Sequence, residues 1–248
     1  MRPSIVLFDM DGTMVSHVNP RVLRLLERLD DTGHHVARIL AWRPLGRSSP
    51  ERPGRSSGRR PRLLVHRAMH RLRRKHVAQI VRPCPGVRAV LELLRKQGIP
   101  MGIVSNGMGK GYGHDVLRAF ELEHFFDVMV FREDVARGKP HPDPLLRALE
   151  GLGREVSPND VIWYVGDQRK DVVAALRVSE TGPQVRPIAC GIRASLAIVE
   201  HGLGADHIML TMDDLRVALL RLFGTGAATD VPAPEVPTGA RTDAYSPI

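Results

Sequence analysis

Short apolar runs and amphipathic stretches alternate along most of this chain, and that alternation predicts its architecture. Residues 4–8 (SIVLF) are a β-prone apolar run that stops at Asp9 and read as a buried strand. Asn19 or Pro20 then opens a helical pattern, with Val22, Leu25, Leu26 and Leu29 on one face and a stop near Gly33. Residues 43–62 (RPLGRSSPERPGRSSGRRPR) have no apolar period and too little apolar surface to offset the entropy of ordering, which predicts a loop. Helical spacing returns over 63–80, where Arg67, Arg71, Arg73, Arg74 and Lys75 give the helix basic sides.

From Pro85 the alternation is regular. Helices are predicted at 86–97, 114–121, 142–151, 169–178, 193–201 and 212–223, and strands at 101–105, 127–131, 161–165, 186–190 and 206–210. Strands that are apolar on both faces and separated by helices imply an α/β fold, a Rossmann-like parallel sheet covered by helices on both faces. Residues 224–248, with four prolines and little apolar content, read as a disordered tail. The chain has no internal repeat.

Bulk composition narrows the class. At 248 residues and 43% hydrophobic, the chain can bury a substantial core. It has no apolar run near the roughly 20 residues of a membrane span, and Asp9 and Asp11 interrupt any signal-peptide core. Cys84 and Cys190, far apart in sequence, fit two unpaired thiols and a cytoplasmic location. The net charge of +9 is local: residues 34–82 hold 14 Lys and Arg against one acid, Glu51, so the remainder carries +9 minus +13, or −4. A basic insert on a mildly acidic body implies an anionic partner, or else only a solvated basic face.

Ligands of parallel sheets bind beyond the carboxyl ends of the strands, so the polar residues at those points carry the candidate chemistry. Asp9 and Asp11 in FDMDGT leave the first strand two residues apart, where two like charges call for a divalent cation or a shared proton. Gly12 permits a tight bend there, although an Asp-Gly turn is also an ordinary way to end a strand. Ser105 and Asn106 in VSNG suit phosphate oxygens, and equally a turn. Lys139 in RGKPHPDP stands before prolines that stiffen its loop and could neutralise phosphate charge, or could simply be an exposed lysine. Asp167 and Asp171 in GDQRKD lie one helical turn apart and offer hard oxygen ligands for Mg2+, or a helix cap. His66 and His70 have the i, i+4 spacing of zinc ligands, but no third ligand stands at a matching distance; with His76, His114 and His141 they read as basic surface.

In order, DMDGT, SN, GKPHPD and GDQRKD resemble the four signatures of the haloacid dehalogenase-like (HAD) hydrolase superfamily, in its phosphoglycolate phosphatase-like branch with an inserted helical cap. The resemblance implies a catalytic core of residues 1–16 and 83–223, with 17–82 as the cap that carries the basic loop 43–62. It implies Asp9 as the nucleophile that forms an aspartyl-phosphate, and Asp11 as general acid and base. Mg2+ would be held by Asp9, the backbone carbonyl of Asp11 and Asp167, with Asp171 in support, while Ser105, Asn106 and Lys139 bind phosphate. The substrate expected is a small phosphorylated metabolite such as phosphoglycolate or a sugar phosphate. A nucleic-acid end is the second choice, because residues 34–82 offer only Trp42 for base stacking. A phosphomutase and a catalytically silent binding protein of the same fold complete the alternatives. The loop 43–62, the Trp163-Tyr164 pair, the Gln168-Arg169-Lys170 spacer and the glycine-heavy 108–113 depart from the family pattern.

Overall fold

The computed structural model describes residues 1–17, 81–107 and 110–224. The expected helices of the insert, the loop 43–62 and the tail beyond Gly224 lie outside the described residues, as do His66, His70 and His76.

Eight strands and six helices follow in chain order among the described residues. Strands β1 (Ile5–Phe8), β2 (Val15–His17) and β3 (Val81–Pro83) precede helix α1 (Val87–Lys96). Then come β4 (Met101–Val104), α2 (Lys110–Ala119), β5 (Val128–Val130), α3 (Asp143–Gly151), β6 (Ile162–Gly166) and α4 (Arg169–Ser179). Strand β7 (Val185–Cys190), α5 (Ile192–Glu200), β8 (Ile208–Met209) and α6 (Met212–Phe223) complete the set.

Six strands form one sheet in the order β5-β4-β1-β6-β7-β8, and every pairing in it is parallel. Period-two alternation divides the apolar residues between its faces. Val6, Phe8, Trp163 and Val165 enter a cluster with α1, α2 and α6, whereas Ile5, Leu7, Ile162 and Tyr164 enter a second with α3 and α4. This is the Rossmann-like sheet that the strand and helix alternation predicts. The chain proceeds from β1 outward through β4 and β5, then crosses back to β6 on the other side, so the order reverses at β1. A crevice opens above the strand ends at such a reversal.

Outside the sheet, β2 and β3 pair antiparallel, His17 opposite Val81 and Val15 opposite Pro83. No apolar period foretells this ribbon of two three-residue strands, because its pairing joins positions more than sixty residues apart. It brings together the two ends of the insert.

Two predicted elements differ. Helix α2 begins at Lys110, four residues before the predicted start, and runs through Gly111 and Gly113. A Cβ at position 113 would overlap the Phe131 ring, so this glycine lets the helix lie against Phe131 instead of marking a loop. The last strand is only Ile208–Met209, after a 3-10 turn over Ala205–His207. Among the described residues its one sheet neighbour, β7, pairs with it at just two positions, and Asp206 is drawn instead to the Arg186 guanidinium.

Candidate active site

Each strand around the reversal point delivers one group. Asp9 follows β1, Ser105 follows β4 and Asp167 follows β6, on three adjacent strands. The turn after Asp9 is closed by Met14 and Val15 backbone N–H groups, both donating to the Met10 carbonyl. Gly12 has φ 93°, and a Cβ there would run into the Asp167 carboxylate, so two separate constraints require glycine.

Carboxylate oxygens of Asp9, Asp167 and Asp171 lie within 4.8 Å of one another. Lys139 reaches into this cluster fully buried. Its ammonium donates to Asp9 Oδ1 at 2.5 Å, to the Val104 carbonyl at 2.9 Å and to the Tyr164 hydroxyl at 2.7 Å, and stands 2.8 Å from Asp171 Oδ1. Burial by itself would lower the lysine, but Asp171 and Asp9 outweigh it and hold the ammonium charged. Burial raises the Asp9 carboxyl well above the usual range; Lys139 opposes this, and Asp171 and Asp167 add to it. Burial and then Asp171 push Asp167 up to about 6.

Three carboxylates against one ammonium leave this pocket two negative charges in excess when all three acids are ionised. Asp167 Oδ1 is buried and accepts no hydrogen bond. An orphaned oxygen in an oxygen-only cluster with two surplus negative charges fits a hard divalent cation.

The other predicted residues are placed as follows. Asp11 points away from the three-acid cluster: its Oδ2 accepts from Ser105 Oγ at 3.3 Å, and its Oδ1 lies 3.1 Å from His17 Nε2. The Asn106 amide is committed to the Lys139 backbone, accepting from its N–H at 2.9 Å and donating to its carbonyl at 2.8 Å. These two bonds tie the segment that follows β4 to the Lys139 loop. Asp167 does not cap the following helix; Asp171 reaches back to the Gln168 N–H at 3.0 Å, while Gln168 Nε2 donates to Asp167 Oδ2 at 2.6 Å. His114 pairs with Glu123 at 2.5 Å and His141 with Asp143 at 3.0 Å, so neither joins the cluster. Cys84 and Cys190 are unpaired.

Sequence reasoning missed two residues. Tyr164 sits in an apolar strand, and its only signal was the unusual hydroxyl in that run; its OH also donates to Asp171 Oδ1 at 3.2 Å. His17, six residues beyond Asp11, carried no signal, because its place depends on the β2–β3 ribbon.

Fold and site together define a doubly wound α/β protein with an acidic, lysine-bearing centre at the reversal point of its sheet. The profile of the haloacid dehalogenase-like hydrolases matches residues 6–179, and the chain belongs to that family. Phosphoglycolate phosphatase of Escherichia coli (strain K12) is 36% identical over 91 residues, which are 37% of this chain and 34% of that protein, so the chain spans about a third of that relative's length. Pyrophosphatase PpaX of Bacillus mycoides (strain KBAB4) is 25% identical over 230 residues, 90% of this chain and 100% of that protein. Among solved structures, a HAD phosphatase from Thermococcus onnurineus shares the fold with a TM-score of 0.56 at 23% identity, covering 88% of this chain and 98% of that one. Among the described residues, no helix is long and apolar enough to cross a membrane.

Proposed function

We propose that this chain is a Mg2+-dependent phosphatase that hydrolyses small phosphomonoesters through an aspartyl-phosphate on Asp9. The observation that carries the reading is the Asp9 carboxylate, buried at a strand end, bonded to Lys139 and sharing its pocket with Asp167 and Asp171. The relatives named as phosphoglycolate phosphatase and pyrophosphatase support small phosphorylated substrates.

Asp9 attacks phosphorus, and the bond to the leaving oxygen breaks as Asp11 donates a proton to it. Asp11 then accepts a proton from water, the water oxygen attacks phosphorus, and the P–O bond to Asp9 breaks to release inorganic phosphate. Lys139, Ser105 and the backbone N–H of Asn106 hold the phosphoryl oxygens as charge develops on them. Asp9, Asp167 and the Asp11 carbonyl would hold Mg2+, with Asp171 in support; the cation supplies charge neutralisation between nucleophile and phosphate. A protonated acid at Asp11 favours an alkoxide leaving group, which speaks for phosphate esters over halides.

In the same reading, residues 1–16 and 83–223 are the catalytic core and the insert is a cap entered through the β2–β3 ribbon. Its basic composition fits an anionic substrate, and the unpaired thiols fit a cytoplasmic location.

Inorganic phosphate release from a panel of phosphomonoesters, with Mg2+ or EDTA and with Asp9→Asn alongside, tests the proposal. Release that needs Mg2+ and vanishes in Asp9→Asn supports it. A folded protein that releases nothing across the panel overturns it and favours a mutase or binding role.

A further inference from the structure

The carboxyl group of Asp11 is held from two sides by different parts of the chain. Ser105, at the end of β4, donates to one oxygen, and the His17 ring lies 3.1 Å from the other. His17 is nearly enclosed, its side chain 6% exposed, so the contact is not a solvent-swept surface pair. With its proton on Nε2 the ring donates to Asp11 Oδ1. His17 is also the last residue of β2 and pairs with Val81, the first residue of β3. The group touching Asp11 therefore stands at the root of the ribbon where the insert leaves and returns.

We propose that His17 is a positioning residue for Asp11, holding its carboxyl in the orientation from which it protonates the leaving oxygen. The inference rests on the phosphohydrolase reading above. An aspartate side chain hops between staggered rotamers unless its oxygens are engaged, and proton transfer needs the donor within hydrogen-bond reach of the departing atom. Among the described residues, Ser105 alone would hold the carboxyl through a single hydrogen bond; His17 engages the second oxygen and restrains its rotation. His17 thereby ties the geometry of the insert's stem to the proton-donating group.

A purely structural role and this one are separated by the leaving group. An alkoxide needs the proton from Asp11 as the P–O bond breaks, whereas nitrophenolate departs readily without it. The ratio kcat/KM covers events only through phosphoryl transfer, so the later use of Asp11 as a base does not enter it.

The test measures kcat/KM of wild type, His17→Ala, His17→Asn and His17→Gln. The substrates are the best alkyl phosphate of the panel and 4-nitrophenyl phosphate, with thermal unfolding of each variant alongside. Glutamine places an N–H donor near the position of Nε2, while asparagine has the same polarity and falls short. The expected result is an alkyl-to-aryl ratio lowered about ten-fold in His17→Ala and His17→Asn, part of the 10²–10⁴ that acid–base catalysis supplies, and largely restored in His17→Gln. Equal losses on both substrates, or an unchanged ratio in His17→Asn, overturn the inference while leaving the hydrolase reading standing. Wild type that releases no phosphate from either substrate overturns that reading, and this inference with it.

Discussion

Lys139 Nζ lies 2.5 Å from Asp9 Oδ1 and 2.8 Å from Asp171 Oδ1, one buried cation shared between two buried acids, the first just past β1 and the second in the first turn of α4. The pair works because each carboxylate would be costly to bury by itself. Replacing Lys139 with methionine keeps the volume and leaves those charges uncompensated, at a cost of about 3–5 kcal/mol. Thermal unfolding in EDTA should show that loss. Mg2+ should recover part of it, because a divalent cation offsets the same surplus charge, while phosphate release stays lost. A methionine variant as stable as wild type in EDTA would contradict the charge balance assigned to the pocket.

Tyr164 supplies a second hold on the same ammonium. Its hydroxyl accepts from Lys139 at 2.7 Å and donates to Asp171 at 3.2 Å, with the ring 1% exposed. Tyr164→Phe preserves the packing and removes only this bridge, two hydrogen bonds to charged partners. Stability should fall by about 1–3 kcal/mol, and kcat should fall more than KM rises. Unfolding curves and steady-state kinetics read both; unchanged values would reduce Tyr164 to a filler of the core.

The pH dependence has a definite sign. Burial first, and then Asp171, raise the Asp167 carboxyl from 3.8 to about 6. The folded state thus keeps a proton that the unfolded chain has already lost, and stability falls as pH climbs from about 4 to about 6, by roughly 2–3 kcal/mol. Asp9, raised chiefly by burial, acts in the same direction. Asp160, Glu123 and Asp206 are held low by hydrogen bonds from Arg154, Arg118 and Arg186, and stay ionised across the upper part of that window. In EDTA the melting temperature should therefore drop between pH 4.5 and 6.5, and saturating Mg2+ should flatten or reverse the slope. A metal-free protein that grows more stable over this interval would refute the assignment.

Gly113 sets helix propensity against packing. Alanine is the better helix former by about 1 kcal/mol, so an isolated helix would gain from Gly113→Ala. In the folded chain the new methyl meets the Phe131 ring, and overpacking of this kind costs about 1–3 kcal/mol. Net destabilisation is expected by chemical denaturation; a more stable variant would show that Phe131 can yield.

The same glycine marks where the sequence was misread. Glycines over 107–113 look like a loop to any reading based on local preference, and the helix start was placed four residues late. The β1, β4 and β6 strands were legible, because an apolar run buried on both faces carries its own signature. The acids and the lysine at their ends were legible too, since the parallel architecture exposes whatever follows each strand. Asn106 shows the limit of that reasoning: its place after a strand was legible, but the pairing of its side chain with the Lys139 backbone was not.

By itself, the sequence determined the parallel α/β architecture and the set of groups that follow its strands, because apolar periodicity and the alternation of strands and helices along the chain are local properties that survive without contacts. Only the tertiary structure decided which atoms meet. Lys139 and Asp9 are 130 residues apart in sequence, and His17 reaches Asp11 only because a ribbon joins residue 17 to residue 81. The Tyr164 hydroxyl becomes part of the site only because Lys139 and Asp171 converge on it. Such contacts depend on register and on which face each strand turns to which helix, and no residue encodes them alone.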